Sequence, residues 1–205
     1  MIQYKTTKCL FKGTYQYKIV LVCAGAQWFR SGDMDATLVS LNALVTSDKR
    51  SGYAYSIKTQ EDLDYAFSLQ KQLKKLQAIE VRVESPWVTV YANNRADIDS
   101  LAKLDPNNVK YISIPDNTLE KDTIVMPKMD YEFRITLGKT TREHSAFVDW
   151  AEGNSKIKLT KSCKKDLCKD RSWGGTHFYI TGEKNLLVAR MHLGGSINKI
   201  ERIIK

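Results

Sequence analysis

Cysteine and proline are scarce in this 205-residue chain, four of each. The four thiols, Cys9, Cys23, Cys163 and Cys168, make no dense disulfide framework and read as reduced thiols of a cytosolic protein. No run approaches the roughly 18 uninterrupted apolar residues that a membrane span needs. The start, Met1, Ile2, Gln3, Tyr4 and Lys5, lacks the apolar core of a signal peptide. These absences predict a soluble, intracellular, cytoplasmic protein with no membrane contact. No fixed-period repeat or low-complexity tract is found, which argues against a solenoid. With 42% apolar residues, the chain can bury a core as one elaborated domain or as two small ones.

What is present is positive charge, unevenly placed. Residues 127–205 carry 16 Lys and Arg against 9 Asp and Glu, a net +7, whereas residues 1–126 carry 16 against 14, a net +2. Clustered like charges repel one another, and a polyanionic partner is the usual reason to keep them together.

Periodicity predicts an α+β protein. Residues 4–11 and 15–23 read as a β-hairpin turning at Lys12, Gly13 and Thr14. Asp33 is placed to cap a helix over 34–45. A strand is expected over 53–58, and Thr59 with Asp62 three residues on opens a helix to about Leu76. Strands over 80–84 and 87–93, a helix capped by Asn94 and a strand over 109–114 complete a β-α-β-β-α-β run. That order resembles the ferredoxin-like superfold, which hosts many unrelated functions and so predicts architecture and not activity. The expected organisation is a lobe over 1–115 with its ferredoxin-like core at 53–114 and an N-terminal hairpin extension, a linker over 116–130, and a smaller basic α+β lobe over 131–205. In that last lobe we expect strands over 131–137 and 156–160, a helix capped by Thr140 and closed by Gly153, a basic helical turn over 162–170, a hairpin over 176–193, and a final helix from Ser196 bearing Ile197, Ile200, Ile203 and Ile204.

Side chains alternate across a strand, so each strand of the basic lobe divides into an apolar row and an outer row. Tyr131, Phe133, Ile135 and Leu137, with Ile157, Leu159, Phe178, Ile180, Leu187, Ala189, Met191 and Leu193, make the apolar side. Arg134, Lys156, Lys158, His177, Tyr179, Arg190 and His192 then share the outer side. Beside them Lys161, Lys164, Lys165 and Lys169 recur at helical spacing, followed by Arg171 and Trp173; residues 155–172 hold seven cations against two carboxylates. Such arrays bind phosphate chains through counterion release, and aromatic faces stack unpaired bases. The plain alternative is a solvated lysine-rich face.

A weaker version lies in the first lobe. Trp87, Thr89 and Tyr91 should point away from the core, with Tyr111 beside them, which resembles the way RNA-recognition domains stack bases. The Gly-aromatic motif of that family is missing, and the row Glu80, Arg82 and Glu84 brings two carboxylates. We expect these rings to be covered by the N-terminal hairpin or the second lobe.

Other signals are thinner. Gly138, Lys139, Thr140 and Thr141 match the tail of a phosphate-binding loop, but the glycine required five residues earlier is Phe133. Cys163 and Cys168 with His177 and His192 lack a second tight pair for zinc. No nucleophile and base are placed together by spacing, so neither catalytic residues nor a metal or cofactor are assigned. The expected function is a non-catalytic accessory protein that binds DNA or RNA through Arg134, Lys156, Lys158, Lys161, Lys164, Lys165, Lys169, Arg171, Trp173, Tyr179 and Arg190. The alternatives are a viral or accessory assembly or inhibitory protein that docks an acidic protein surface, and an enzyme acting on nucleic acid or nucleotides.

Overall fold

The computed structural model describes residues 1–46 and 57–205, with the side chain of Thr46 left aside. It is a mixed α+β protein with six α-helices and two five-stranded mixed sheets among the described residues. The chain divides into two compact units, Met1–Leu119 and Glu120–Lys205. No helix among the described residues is long and apolar enough to cross a membrane.

The first unit contains β1 (Tyr4–Thr7), β2 (Tyr17–Val22), α1 (Met34–Thr46), α2 (Gln60–Lys75), β3 (Glu80–Glu84), β4 (Trp87–Ala92), α3 (Arg95–Ala102) and β5 (Val109–Pro115). Its helix starts follow from short polar side chains that satisfy the first free amides. Asp33 accepts from Asp35 and Ala36, and Asn94 from Ala96. Thr59 and Asp62 exchange backbone and side-chain hydrogen bonds in a full capping box at α2. The sheet order is β1-β5-β2-β4-β3; β1 runs parallel to β5, and the remaining neighbours are antiparallel. One face, with Ile19, Leu21, Val88, Val90 and Ile112, packs against Leu63, Leu69 and Leu73 of α2 and Ile98 and Leu101 of α3.

The second unit contains β6 (Thr123–Val125), β7 (Phe133–Leu137), α4 (Ser145–Glu152), β8 (Ile157–Leu159), α5 (Lys161–Leu167), β9 (His177–Ile180), α6 (Glu183–Leu193) and β10 (Ile197–Ile204). Its sheet order is β6-β10-β7-β9-β8, with β6 parallel to β10 and the rest antiparallel. Phe133, Ile135, Leu137, Phe178 and Ile180 face Phe147, Val148, Leu167, Leu186 and Leu193 of the helices.

The two sheets repeat one strand order. Adding five to each strand number of the first sheet reproduces the order and the directions of the second. In both, the opening strand lies outside the closing one, and the helices among the described residues pack on one face only. A repeat of topology without a repeat of sequence is invisible to a period search.

Several expected elements differ from those found. The expected strand over 53–58 lies outside the described residues except for Ile57 and Lys58, which belong to no strand, and two helices, α1 and α2, stand between β2 and β3. β1 and β2 are not hairpin partners, because β5 inserts between them. Only Phe11 and Tyr15 bridge, across a turn where Lys12 and Gly13 have φ of 52° and 70°. Residues 116–130, expected as a linker, supply β6 to the second sheet. The expected hairpin over 176–193 is one strand and one helix, and the expected last helix is β10. Leu186, Ala189 and Leu193 are buried at helical spacing on α6, while β10 gains ladder partners on both sides, β7 and β6. Thr140 does not cap α4; it pairs with Ser172, and His144 occupies the cap position.

Candidate nucleic-acid interface

The helices of the second unit all pack on the Phe133 and Ile135 side of the sheet, so pleating turns Lys158, Tyr179, Arg134 and Glu201 to the opposite face, in register across β8, β9, β7 and β10. This face is not the uniformly cationic one expected. Glu201 is fully buried at its centre and accepts from Arg134 Nε at 2.8 Å and from Lys199 Nζ at 2.8 Å. Arg134 therefore holds an internal carboxylate and is not a free phosphate ligand. Tyr179 is only 7% exposed, with its ring 5.4 Å from His177 and 6.0 Å from Tyr131, so it presents no open face to a base. Burial, and after it the Arg134 guanidinium, holds the His177 pKa below its ordinary value. Lys158 is exposed, as is Lys156 just before β8. Arg190 and His192 leave this face altogether, because they ride on α6. His192 stacks on Trp150 with centroids 5.7 Å apart.

α5 places Lys161, Lys164 and Lys165 on its outer side as spacing predicts, but it ends at Leu167, so Lys169 lies beyond it. Thr160 caps it by accepting from Cys163, and Cys163 and Leu167 turn into the core. Burial pushes the Cys163 thiol up to about 12 while Cys168 is exposed, so the two thiols diverge. Lys161, Lys164 and Lys165 face solvent. Lys164 pairs with Glu152, and Lys169 with Asp166 at 3.1 Å. Lys161 and Lys165, one turn apart, make no ion pair among the described residues.

The most exposed large hydrophobic side chain of this unit is Trp173, at 90%. It is held out by two loops that zip together: Thr140 and Ser172 exchange backbone hydrogen bonds of 2.9 and 3.2 Å, and Gly175 donates to the Leu137 carbonyl at 2.8 Å. Gly174 makes the approach possible. Its φ is +77°, and a Cβ there would sit 2.3 Å from the Gly138 carbonyl oxygen. The Lys139 ammonium lies 5.3 Å from the Trp173 ring centroid, and Arg142, Lys169 and Arg171 are exposed on the same two loops. Sequence alone singled out Trp173 and Arg171 but not Lys139 or Arg142 as their neighbours, because only the loop pairing brings residues 138–142 beside 171–175.

In the first unit Trp87, Thr89, Tyr91, Val20, Lys18, Tyr111 and Lys5 share the helix-free face. Half of it is covered: Phe11 and Tyr15 lie 5.8 and 6.1 Å from Tyr91, which is 7% exposed. The other half is open. Trp87 is 36% exposed with Lys110 Nζ 3.3 Å from its ring centroid, and Tyr111 has Lys5 and Lys18 Nζ at 3.9 and 5.0 Å. The β2–β5 ladder shifts register at Val20/Leu21, and a shift of this kind is not legible in a sequence.

Both places join ammonium groups to aromatic faces. An exposed cation–π contact is worth about 0.5–1 kcal/mol. A base stacked on an aromatic side chain is worth about 1–3 kcal/mol, and the displaced ammonium can then take a phosphate. Exchange of lysine for base is favourable on those magnitudes. Among the described residues no three His, Cys, Asp or Glu side chains are grouped as metal ligands. No protein-family model, no curated protein and no solved structure matches this chain.

Proposed function

We propose that this chain is a nucleic-acid-binding protein without catalytic activity, made of two ferredoxin-like units. The strand order and directions support that description of each unit, since edge strand aside they follow the four-strand order expected of it. In the second unit Lys161, Lys165, Lys139, Arg142 and Arg171 neutralise phosphates, with Lys156 and Lys158 at the sheet edge, and Trp173 stacks on a base. The observation that carries the reading is the 90% exposed Trp173 beside the Lys139 ammonium, held out by a double loop rich in cations. A large ring displayed to water on a braced platform suits a partner with a flat face, as a base has.

Fluorescence anisotropy with labelled DNA and RNA at low salt tests this. Binding that weakens steeply with salt and is lost on K161E/K165E supports it; no binding to any single- or double-stranded form ends it.

A second reading has its own support on α6, where Leu187 and Met191 are 58% and 77% exposed next to Arg190. An acidic protein surface would suit that strip. It predicts a protein partner retained after nuclease treatment and lost on L187D/M191D.

A further inference from the structure

We propose that the open half of the first sheet's helix-free face is a binding surface for single-stranded nucleic acid, separate from the basic loops of the second unit; this rests on the nucleic-acid reading above. Three observations carry it. Trp87 and Tyr111 lie on that face, 36% exposed and half-buried respectively, with no helix among the described residues packed there. Lys110, Lys5 and Lys18 stand over those two rings at 3.3, 3.9 and 5.0 Å. The carboxylates nearby are already engaged, Glu84 with Arg82 and Glu80 with Lys12.

The chemistry selects the strand form. A duplex keeps its base faces stacked inside, so no base displaces the ammonium groups from the rings and the lysines stay engaged there. A single strand offers both phosphates and free base faces. Bases displace the ammonium groups from Trp87 and Tyr111, and Lys5, Lys18 and Lys110 move to the phosphates beside them. The limit of the surface is set by Phe11 and Tyr15, which occupy the position over Tyr91 that a further base would need. We therefore assign a short footprint with two stacked bases.

The test uses the full chain and labelled 20-mers, single-stranded DNA, single-stranded RNA and a DNA duplex, together with an iodouracil-substituted strand for photocrosslinking. K5Q/K110Q, both at exposed positions, should weaken single-strand binding at least fivefold and reduce the salt slope by about 1.4, the value for two lost phosphate contacts on a single strand. Duplex binding should stay within twofold. W87A should weaken single-strand binding with little change in salt slope, and crosslinks should map to Trp87 or Tyr111. Melting curves confirm that each variant is folded. If both variants bind single strands as the parent does and crosslinks fall only on Trp173, this surface is not a site while the second-unit reading stands. If the parent chain binds no nucleic acid, both readings fall. Equal losses on single strand and duplex overturn the strand selectivity.

Discussion

Arg134 lays its guanidinium on Glu201 across the β7–β10 ladder, with Nη2 and Nε 2.5 and 2.8 Å from the same carboxylate oxygen, while Lys199 reaches the other oxygen at 2.8 Å. Two cations converge on one carboxylate with no solvent exposure. Removing a partner from a fully buried pair costs about 3–5 kcal/mol. Here the cations keep 24% and 34% exposure, which lets water take up part of the loss. We expect Glu201→Gln to cost about 2–3 kcal/mol, scaled down from that range. Urea unfolding at pH 7 measures it, and a change under about 0.5 kcal/mol would mean the three charges are not coupled. The same variant frees two cations on the helix-free face, so its affinity for nucleic acid should not fall.

Trp173 tests recognition apart from folding. It is 90% exposed, so Trp173→Ala should leave the urea midpoint unchanged within error. Loss of one stacked base should weaken single-strand binding roughly 5- to 150-fold, the equivalent of about 1–3 kcal/mol. Anisotropy titrations read the difference. Unaltered affinity would remove Trp173 from the interface.

Gly174 tests the platform. With φ at +77° and a notional Cβ 2.3 Å from Gly138 O, alanine cannot be accommodated unless the two loops part. Gly174→Ala adds that clash to its own left-handed backbone strain, so we expect it to destabilise by more than about 2 kcal/mol and to weaken nucleic-acid binding together with stability, whereas Gly175→Ala, with nothing within 4 Å but φ +84°, carries only the backbone strain of about 1–2 kcal/mol. Equal urea midpoints for the two variants would contradict the close approach.

The histidines give a pH dependence with a definite sign. The His144 pKa is lowered by burial first and by Arg142 next, with His192 and Ser196 as its other neighbours; His177 is lowered by burial and then by Arg134, with Glu201 opposing. A lowered histidine pKa means the unfolded chain binds a proton that the folded chain refuses. Above about pH 6.5, the ordinary histidine value, neither state holds that proton and the effect vanishes. Stability should therefore fall as pH drops from 7 to 5, before the carboxylates titrate. His144→Gln should flatten part of that slope in urea midpoints taken at pH 7, 6 and 5. A parent chain equally stable at pH 5 and 7 would refute it.

Local signals were legible where they act over a few residues. The Thr59–Asp62 capping box, the Asn94 cap and the alternation of Phe133, Ile135 and Leu137 each appear where spacing put them. The lysines of α5 also fall on its outer side as expected. Residues 183–204 were misassigned because their apolar positions satisfy two periods at once. Leu187, Ala189, Met191 and Leu193 alternate like a strand, yet Leu186, Ala189 and Leu193 are the ones buried, on a helix. Ile197, Ile200, Ile203 and Ile204 are spaced like a helix, yet they lie in a strand flanked by β7 and β6.

The amino-acid sequence determined by itself the α+β character, the caps of α1, α2 and α3, the core-facing row of β7 and the excess of cations after residue 126, since each depends on side-chain chemistry within a few neighbours. Which cations remain available was decided only by the fold. Arg134 is neutralised by a residue 67 positions away, Lys139 meets Trp173 through a bridge between two loops, and the Lys110 contact with Trp87 joins two different strands of one sheet. The same holds for the strand order repeated in the two sheets, because strand order is a matter of which distant backbones find each other, and a pattern of local spacing carries no record of that choice.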